Sequence, residues 1–594
     1  MIIWFKKFTS IFLCLLFSSF LISFAKDYSK NVLLIVIDTL RRDHLSCYGY
    51  FRRTSPTIDK LAKEGIFFTD VISQSSQTAP SIASLFTGLY PHNHGVYFYS
   101  YNQSFHPLNK DSVPKLSEQF TTMAEYFQAE GYITLGVVSN PWLKADFGYA
   151  QGFKFYEYIE SWNGKYINSI FKRYLNNQLK KKKFFAYLHY MDVHAPYYNP
   201  ETFKALYTEY KGDHIYGNGF VDVINNEDLE YSVALYDESI NYVDNLIKEI
   251  IEELNRNNLL ENTIIILTSD HGEEFYEHFG LGHGTSLYQE QINTFFIIYN
   301  PYFLNSKKIS RRVRLINLLP TVLDILNIHY DKNSMDGMSL FPVMSQNSNR
   351  KFSEYIFSEL GDKKALLFKN WKYIYNSFLK TEELYNLNTD KREILNQIDR
   401  ERKLRKRFKT LILNYSFQEF NLQEKINKIP TNLIPQLKSL GYLGNRSFGE
   451  NQLSNNILKP IRDEVDFNKK SYNPIQLIYG WKKLEKKNNK FFYWIGPKTM
   501  FVLMRKSKKQ NKLIIKGNLI LKNFPNKIQK IILLCERRKL GEYILDKEGP
   551  FSICFKVPPN LGFERALEFT LLCRNYFKEK DFNLSLMISS IYFK

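Results

Sequence analysis

An α/β domain followed by a β-sandwich is the fold class this sequence predicts, and three observations predict it. Apolar runs such as "NVLLIVIDT" (31–39), "KKKFFAYLHYMDVHAPY" (181–197) and "ENTIIILTSDHGEEF" (261–275) read as buried strands that end in acids or histidine. Stretches of helical spacing alternate with them, the pattern of a central mixed, largely parallel sheet. Past residue 450 the pattern changes to short β-rich runs between Pro, Gly and charged turns. A chain of 594 residues is too long for one core, so several units are expected.

The elements follow in order. Lys6 and Lys7 precede an apolar run from Ile11 to Phe24, and Ser23-Phe24-Ala25 offers a small-x-small cleavage site. Residues 1–25 therefore read as a secretory signal, with an uncleaved N-terminal anchor as the alternative. "SPTIDKLAKEGIFF" is a short helix opened by Ser55 and Pro56 and closed near Gly65. "TAPSIASLFTG" enters a helix from a loop, and "MAEYFQAEGYITLGVVSN" is a helix, a Gly131 stop and a strand. "ALYDESINYVDNLIKEIIEEL" repeats apolar residues at helical spacing. "WKYIYN" and "TEELYNLNTDKREILNQ" suggest a small strand-and-helix subdomain, which "LIPQLKSLGYLGN" closes as a short helix. The units are then a catalytic domain over 26–345, an α+β subdomain over 346–445, a polar linker over 446–470 and a β-sandwich over 471–594. No stretch after the first residues has the roughly 18 consecutive apolar residues of a membrane span.

Charge and cysteine narrow the partners. The formal charge is +20, and residues 451–594 hold 29 Lys and Arg against 12 Asp and Glu. The first 450 residues are nearly neutral, so the surplus belongs to the last quarter. That surplus suits an anionic membrane or polysaccharide, whereas an exported location argues against nucleic acid. The five cysteines show no CxxC or CxxH spacing, which excludes a zinc knuckle.

The strand ends supply Asp38, Asp270 and His271, and the loop before "APSIASLF" supplies Thr78. Two carboxylates and an imidazole form a set for one divalent metal ion (Ca, Mn, Mg or Zn), with the Thr78 oxygen as a further ligand and nucleophile. Other polar residues have plainer readings. His189 faces the sheet, and Asp192 either caps a turn or touches metal. His278 and the Glu273–Glu274 pair read as a solvated loop, and His92 and His94 as loop hydrogen bonders.

"VLLIVIDTLRRDHLSCYGY", "SPTIDKLAKEGIFF", "TAPSIASLFTGLYPHNHGV", "LHYMDVHAPY" and "TSDHGEEFYEHFGLGHG" occur in the order and spacing of the sulfatase family. The resemblance covers about residues 31–445 and implies an alkaline phosphatase-like α/β sandwich. It implies metal ligation by Asp38, Asp270, His271 and Thr78, with Thr78 as nucleophile. His194 and His283 would contact the oxygens of the transferring group as catalytic and substrate-binding residues, and Asn140 would line the pocket. His283 stands where many relatives carry lysine, which leaves room for a second ion beside His194. Thr39 stands where many carry another acidic ligand.

The sequence departs from the family at the nucleophile. Formylglycine chemistry needs Cys-x-Pro-Ser-Arg, and here the loop reads Thr78-Ala79-Pro80-Ser81-Ile82. A sulfated threonine cannot collapse to an aldehyde, whereas a phosphorylated one is resolved by attack at phosphorus. Phosphodiesterases and phospho-group transferases of the same superfamily use threonine. The expectation is an exported hydrolase acting on a phosphoester or related ester of a glycan or lipid. The alternatives are a sulfuric ester hydrolase, a transferase acting on an envelope glycan or lipid, and a non-catalytic binder of anionic glycans.

Overall fold

In the computed structural model the described residues are 30–96, 115–197, 207, 226–278, 280–300, 305–345, 355–378, 380–416 and most of the strands between 464 and 593. The segment 1–25 read as a signal and the short helix at 433–445 lie outside them.

The catalytic domain is built on strands β1 (Asn31–Ile37), β2 (Ile66–Ile72), β3 (Ile133–Val138), β4 (Phe155–Tyr158), β5 (Phe184–Tyr190) and β6 (Thr263–Thr268). The hairpin strands β7 (Glu274–Phe275) and β8 (Leu281–Gly282) follow, then β9 (Asn293–Tyr299), β10 (Lys307–Ile309) and β11 (Val313–Arg314). The central sheet runs β10-β2-β9-β6-β1-β5-β3-β4, with β11 also on β2. Only the β9 pairings are antiparallel, so the sheet is mixed and largely parallel, as expected.

Both faces of the sheet are covered, and this is why its strands read as continuous apolar runs. Val32, Leu34 and Val36 pack with helix α2 (Thr78–Thr87) and helix α6 (Leu318–Ile325) on one side. Leu33, Ile35 and Ile37 pack on the other with α1 (Pro56–Glu64), α4 (Gly164–Tyr174) and α5 (Asn226–Arg256). Helix α3 (Met123–Ala129) opens with a Thr122/Glu125 capping box. Ser55 does not cap α1 through its side chain. The Asp244 carboxylate does so from α5, accepting from the Thr57 and Ile58 N–H groups at 2.8 Å each.

An antiparallel sheet follows, in the order β12 (Tyr355–Leu360), β13 (Lys363–Phe368), β14 (Trp371–Asn376), β15 (Glu382–Asn386). One face meets Ile72, Leu287, Tyr288 and Ile292 of the catalytic domain, and the other carries α7 (Arg402–Ser416) through Phe408 and Ile412. The helix expected within "TDKREILNQ" is absent, and α7 starts later. Glu393 has a left-handed backbone, φ 54°, and its carboxylate is drawn away to Lys372 and the Gln289 N–H. That geometry cannot continue a right-handed helix.

The C-terminal strands are β16 (Glu464–Asp466), β17 (Leu477–Lys487), β18 (Lys490–Arg505), β19 (Lys512–Leu519), β20 (Gln529–Cys535), β21 (Arg538–Leu545), β22 (Gly549–Lys556), β23 (Arg565–Cys573), β24 (Phe577–Glu579), β25 (Phe582–Leu584) and β26 (Leu586–Phe593). The main path is β21-β20-β23-β18-β26-β19-β22, and β16, placed within the polar linker by the sequence, pairs with β26. β18 pairs with β26 through 493–495 and with β23 through 498–505, so two ladders branch from one long strand. The far ends of the path meet again, because Tyr543 of β21 donates to the Cys554 carbonyl of β22 at 2.8 Å. Among the described residues Cys47 and Cys554 are free thiols, and no helix is long and apolar enough to cross a membrane.

Candidate active site

The site forms at the C-terminal edge of the parallel strands, where a doubly covered sheet leaves room for chemistry. Asp38 follows β1, Asn140 follows β3, His194 follows β5, and Asp270 and His271 follow β6. Thr78 is the first residue of α2, a helix buried at all ten positions and stopped by Gly88 at φ 72°. Ser81 anchors that first turn by donating to the Asp270 carbonyl at 2.7 Å. Thr78 thus sits where unpaired backbone N–H groups and the helix dipole favour negative charge.

The expected residues converge. Thr78 Oγ1 lies 3.4 Å from Asp38 Oδ2 and 3.2 Å from His271 Nε2. The His271 Nδ1–H donates to the Gly272 carbonyl at 3.0 Å, which leaves the Nε2 lone pair facing Thr78. Asn140 Nδ2 donates to Asp38 Oδ2 at 2.7 Å and to Thr78 Oγ1 at 3.3 Å. Asp270 Oδ1 accepts from the N–H groups of His271 and Thr39 at 2.9 and 3.3 Å. His194 and His283 face one another with ring centroids 4.8 Å apart, and His283 lies 4.5 Å from His271.

Burial polarises these groups. Burial alone would raise the Asp38 carboxyl, but the His189 hydrogen bond and three nearby imidazoles hold it well below the usual carboxylate range. Burial and the charge of Asp38 push Asp270 up to about 6. Burial and the adjacent His283 push His194 down to about 4, so it is neutral at pH 7. Burial lifts Glu273 to about 7.

A cation fits here on the evidence of two orphaned atoms. Asp38 Oδ1 and Asp270 Oδ2 are fully buried and receive no hydrogen bond, a costly state for carboxylate oxygens. Asp38, Asp270 and His271 each bring one ligand atom into a single group whose members lie within 4.8 Å of one another. Thr39 adds no further ligand, because its hydroxyl donates to the carbonyls of Asp38 and Val193.

A second acidic group, Glu274, His278 and Glu290, is different. Glu274 accepts from the N–H groups of His278 and Gly280 and from Gln291, and His278 bonds Glu290 at 2.6 Å and the Glu393 carbonyl at 3.2 Å. Its polar atoms are spent within the protein, so it braces the β7–β8 hairpin.

Three plain readings are overturned. His189 does not merely face the sheet, since its Nε2 donates to Asp38 Oδ2 at 3.0 Å while Nδ1 accepts from Tyr187 at 2.7 Å. Glu273, Glu274 and His278 are not a solvated loop, because all three are buried. Asp192 does not cap the turn that follows it but accepts from the Gly164 N–H at the start of the earlier helix α4. His92 and His94 are hydrogen bonders as read, to Glu359 and Ser84.

The chain matches the family model described as Sulfatase over residues 30–328. It belongs to the sulfatase family. As a sulfatase-family chain it is an enzyme of the ester-hydrolase type, within the alkaline phosphatase-like superfamily, which retires the reading of a non-catalytic binder. It is 23% identical over 434 residues to a sulfatase of Formosa agariphila, covering 63% of this chain and 84% of that one. It is 24% identical to an arylsulfatase of Clostridium perfringens, covering 62% of this chain and 90% of that one. Among solved structures it is similar to a phosphonate monoester hydrolase of Agrobacterium radiobacter, with TM-score 0.53, 18% identity, and coverage of 68% and 100%. Members of this family generally bind a divalent metal, and the Asp38–Asp270–His271 group is where the sulfatase-family chain offers one a place.

Proposed function

We propose that this chain hydrolyses a phosphoester of a glycan or lipid with Thr78 as its nucleophile. One observation carries the reading: a buried hydroxyl stands between Asp38 and His271 at a helix N-terminus, with no cysteine in its place. A divalent cation on Asp38, Asp270 and His271 would supply positive charge beside the Thr78 oxygen and ease its deprotonation. Asn140 orients Thr78 and Asp38 together. His194 donates through Nδ1 to the Ala195 carbonyl at 2.5 Å, so the Nε2 of this neutral ring meets the substrate beside His283 as a hydrogen-bond acceptor for a protonated oxygen. Attack forms a bond from Thr78 Oγ1 to phosphorus and breaks the ester bond, the leaving oxygen departing as the alcohol with the proton that threonine gives up; water then attacks phosphorus, releases phosphate and returns a proton to Thr78 Oγ1. The two imidazoles stack edge to face and His283 Nδ1 is turned to Glu273, so both are assigned to substrate rather than to a second ion.

The likeness to phosphonate monoester hydrolases supports the reading only so far as this fold supports phosphorus ester chemistry. The relatives named as sulfatases favour a sulfuric ester as the second reading. Turnover of bis(4-nitrophenyl) phosphate against 4-nitrophenyl sulfate separates them. We expect faster turnover of the phosphodiester and, with a slow substrate, a covalent adduct mapping to Thr78 by mass spectrometry. Sulfate turnover at equal or greater efficiency without an adduct at Thr78 would overturn the reading.

Export to the periplasm or cell envelope is part of the same proposal, as is docking to an anionic membrane through the C-terminal sheet. The register of that sheet supports docking. Exposed Lys512 lies directly opposite exposed Lys556, a like-charge pair that an anionic surface relieves, and exposed Lys516 is on the same face.

A further inference from the structure

Glu273 immediately precedes β7, and His283 immediately follows β8. In that two-rung ladder Glu274 lies opposite Gly282, so the next position sets residue 273 against residue 283. The carboxylate oxygens of Glu273 lie 3.4 and 3.3 Å from His283 Nδ1, and both side chains are buried. Among the described residues His283 is the hydrogen-bond partner of this carboxylate, which is neither a member of the Asp38 group nor in contact with Thr78.

The hairpin is held rigid around this pair. Glu274 accepts two N–H groups of the hairpin tip, and Arg41 donates to the Glu273 carbonyl at 3.0 Å and to Glu277 at 2.5 Å. After His283 the chain turns through Gly284 at φ 66°, where an added Cβ would come within 2.9 Å of Gln77, the residue before Thr78. The His283 backbone is therefore fixed on both sides, and its ring retains only the choice of which nitrogen faces the substrate.

We infer that Glu273 is the positioning residue for His283, accepting its Nδ1–H and so aiming the Nε2 lone pair, a hydrogen-bond acceptor in this tautomer, at a protonated oxygen of the tetrahedral group held over Thr78. This inference rests on the proposed phosphoryl chemistry. Without an acceptor at 273 the ring loses the contact that sets its Nδ1–H tautomer and its alignment beside His194 and His271. An aligned polar contact on a transferring group accounts for about a hundredfold in such sites, and a misaligned one forfeits most of that.

The test uses the full-length, cation-loaded protein, with calorimetric binding of inorganic phosphate and turnover of bis(4-nitrophenyl) phosphate as readouts. Glu273→Leu and His283→Ala should each weaken phosphate binding and slow turnover by about a hundredfold. The double variant should be no worse than His283→Ala alone, because the carboxylate acts only through that ring. Glu273→Gln keeps an acceptor of the same reach and should recover most of the loss. If leucine at 273 prevents folding, Glu273→Ala takes its place in the same comparison. Additive losses, equal losses from Gln and Leu, or loss of bound cation in the Glu273 variants would each overturn the inference. If the unaltered protein neither binds phosphate nor turns over the diester, the phosphoryl reading itself fails and this inference goes with it.

Discussion

His189 bonds at both ring nitrogens, to Asp38 on one side and to Tyr187 on the other, so its ring cannot turn and Asp38 cannot swing. Partners of this kind, which hold a ligand rather than the ion, typically account for 10- to 100-fold in metal affinity. His189→Leu should therefore weaken cation binding by about that factor, read by titration calorimetry. Thr78→Ala should do the reverse. It should leave one bound cation per chain by elemental analysis, since Asp38, Asp270 and His271 remain, while turnover falls by several orders of magnitude. Retained activity in Thr78→Ala would mean that threonine is not the nucleophile. Asp38, Thr78, Asp270 and His271 were legible in the sequence because each sits at a strand end or helix start. His189 was not, because it lies inside a strand covered on both faces, where an apolar run hides which side chains face the site. Glu273 was hidden for another reason. Its contact with a residue ten positions on is made by a ladder too short to leave any periodicity.

At the scale of elements, the hairpin that carries Glu273 and His283 is clamped to the second sheet. His278 stacks on Tyr288 at 3.6 Å and bonds Glu290 and the Glu393 carbonyl, while Glu393 pairs with buried Lys372 at 2.6 Å. Burial alone would lower the proton affinity of His278, but the Glu290 carboxylate outweighs it and lifts the imidazole to about 10. A histidine raised in the folded state contributes its full stability below the unfolded value near 6.5. That contribution fades as pH rises through about 10, so the protein should lose thermal stability between pH 7 and 10. His278→Gln should cost about 3 kcal/mol at pH 7 and flatten that dependence, as followed by thermal unfolding at each pH. An equal slope in both proteins would remove His278 as the cause. Strands β1, β3, β5 and β6 and helices α1, α2, α3 and α5 of the first domain follow from hydrophobic pattern and capping residues. The turn at 391–397 does not, because the Glu393 ion pair with Lys372 and its hydrogen bond from the Gln289 N–H of the catalytic domain decide its backbone, and no local propensity reports that.

At the scale of the whole molecule, charge is divided between a nearly neutral first 450 residues and a basic C-terminal quarter, and the proposed docking surface lies in the latter. Alternation along β19 and β22 buries Leu513, Ile515, Ile553 and Phe555 and turns Lys512, Lys516 and Lys556 outward. Reversing these three charges together in the full chain should weaken binding to phosphatidylglycerol vesicles by more than about a hundredfold at low salt, since loss of about 1 kcal/mol per lysine already gives that factor. The unaltered protein should itself release as salt rises. Vesicle binding unchanged by the triple reversal would place the docking surface elsewhere. The contact between Tyr543 and the Cys554 carbonyl has a bearing on the edges of this sheet. Open sheets present rows of unsatisfied N–H and C=O groups, which recruit strands from neighbouring molecules. Here the two ends of the main path are tied to each other through Tyr543, so those two edges are drawn together rather than left apart as open templates.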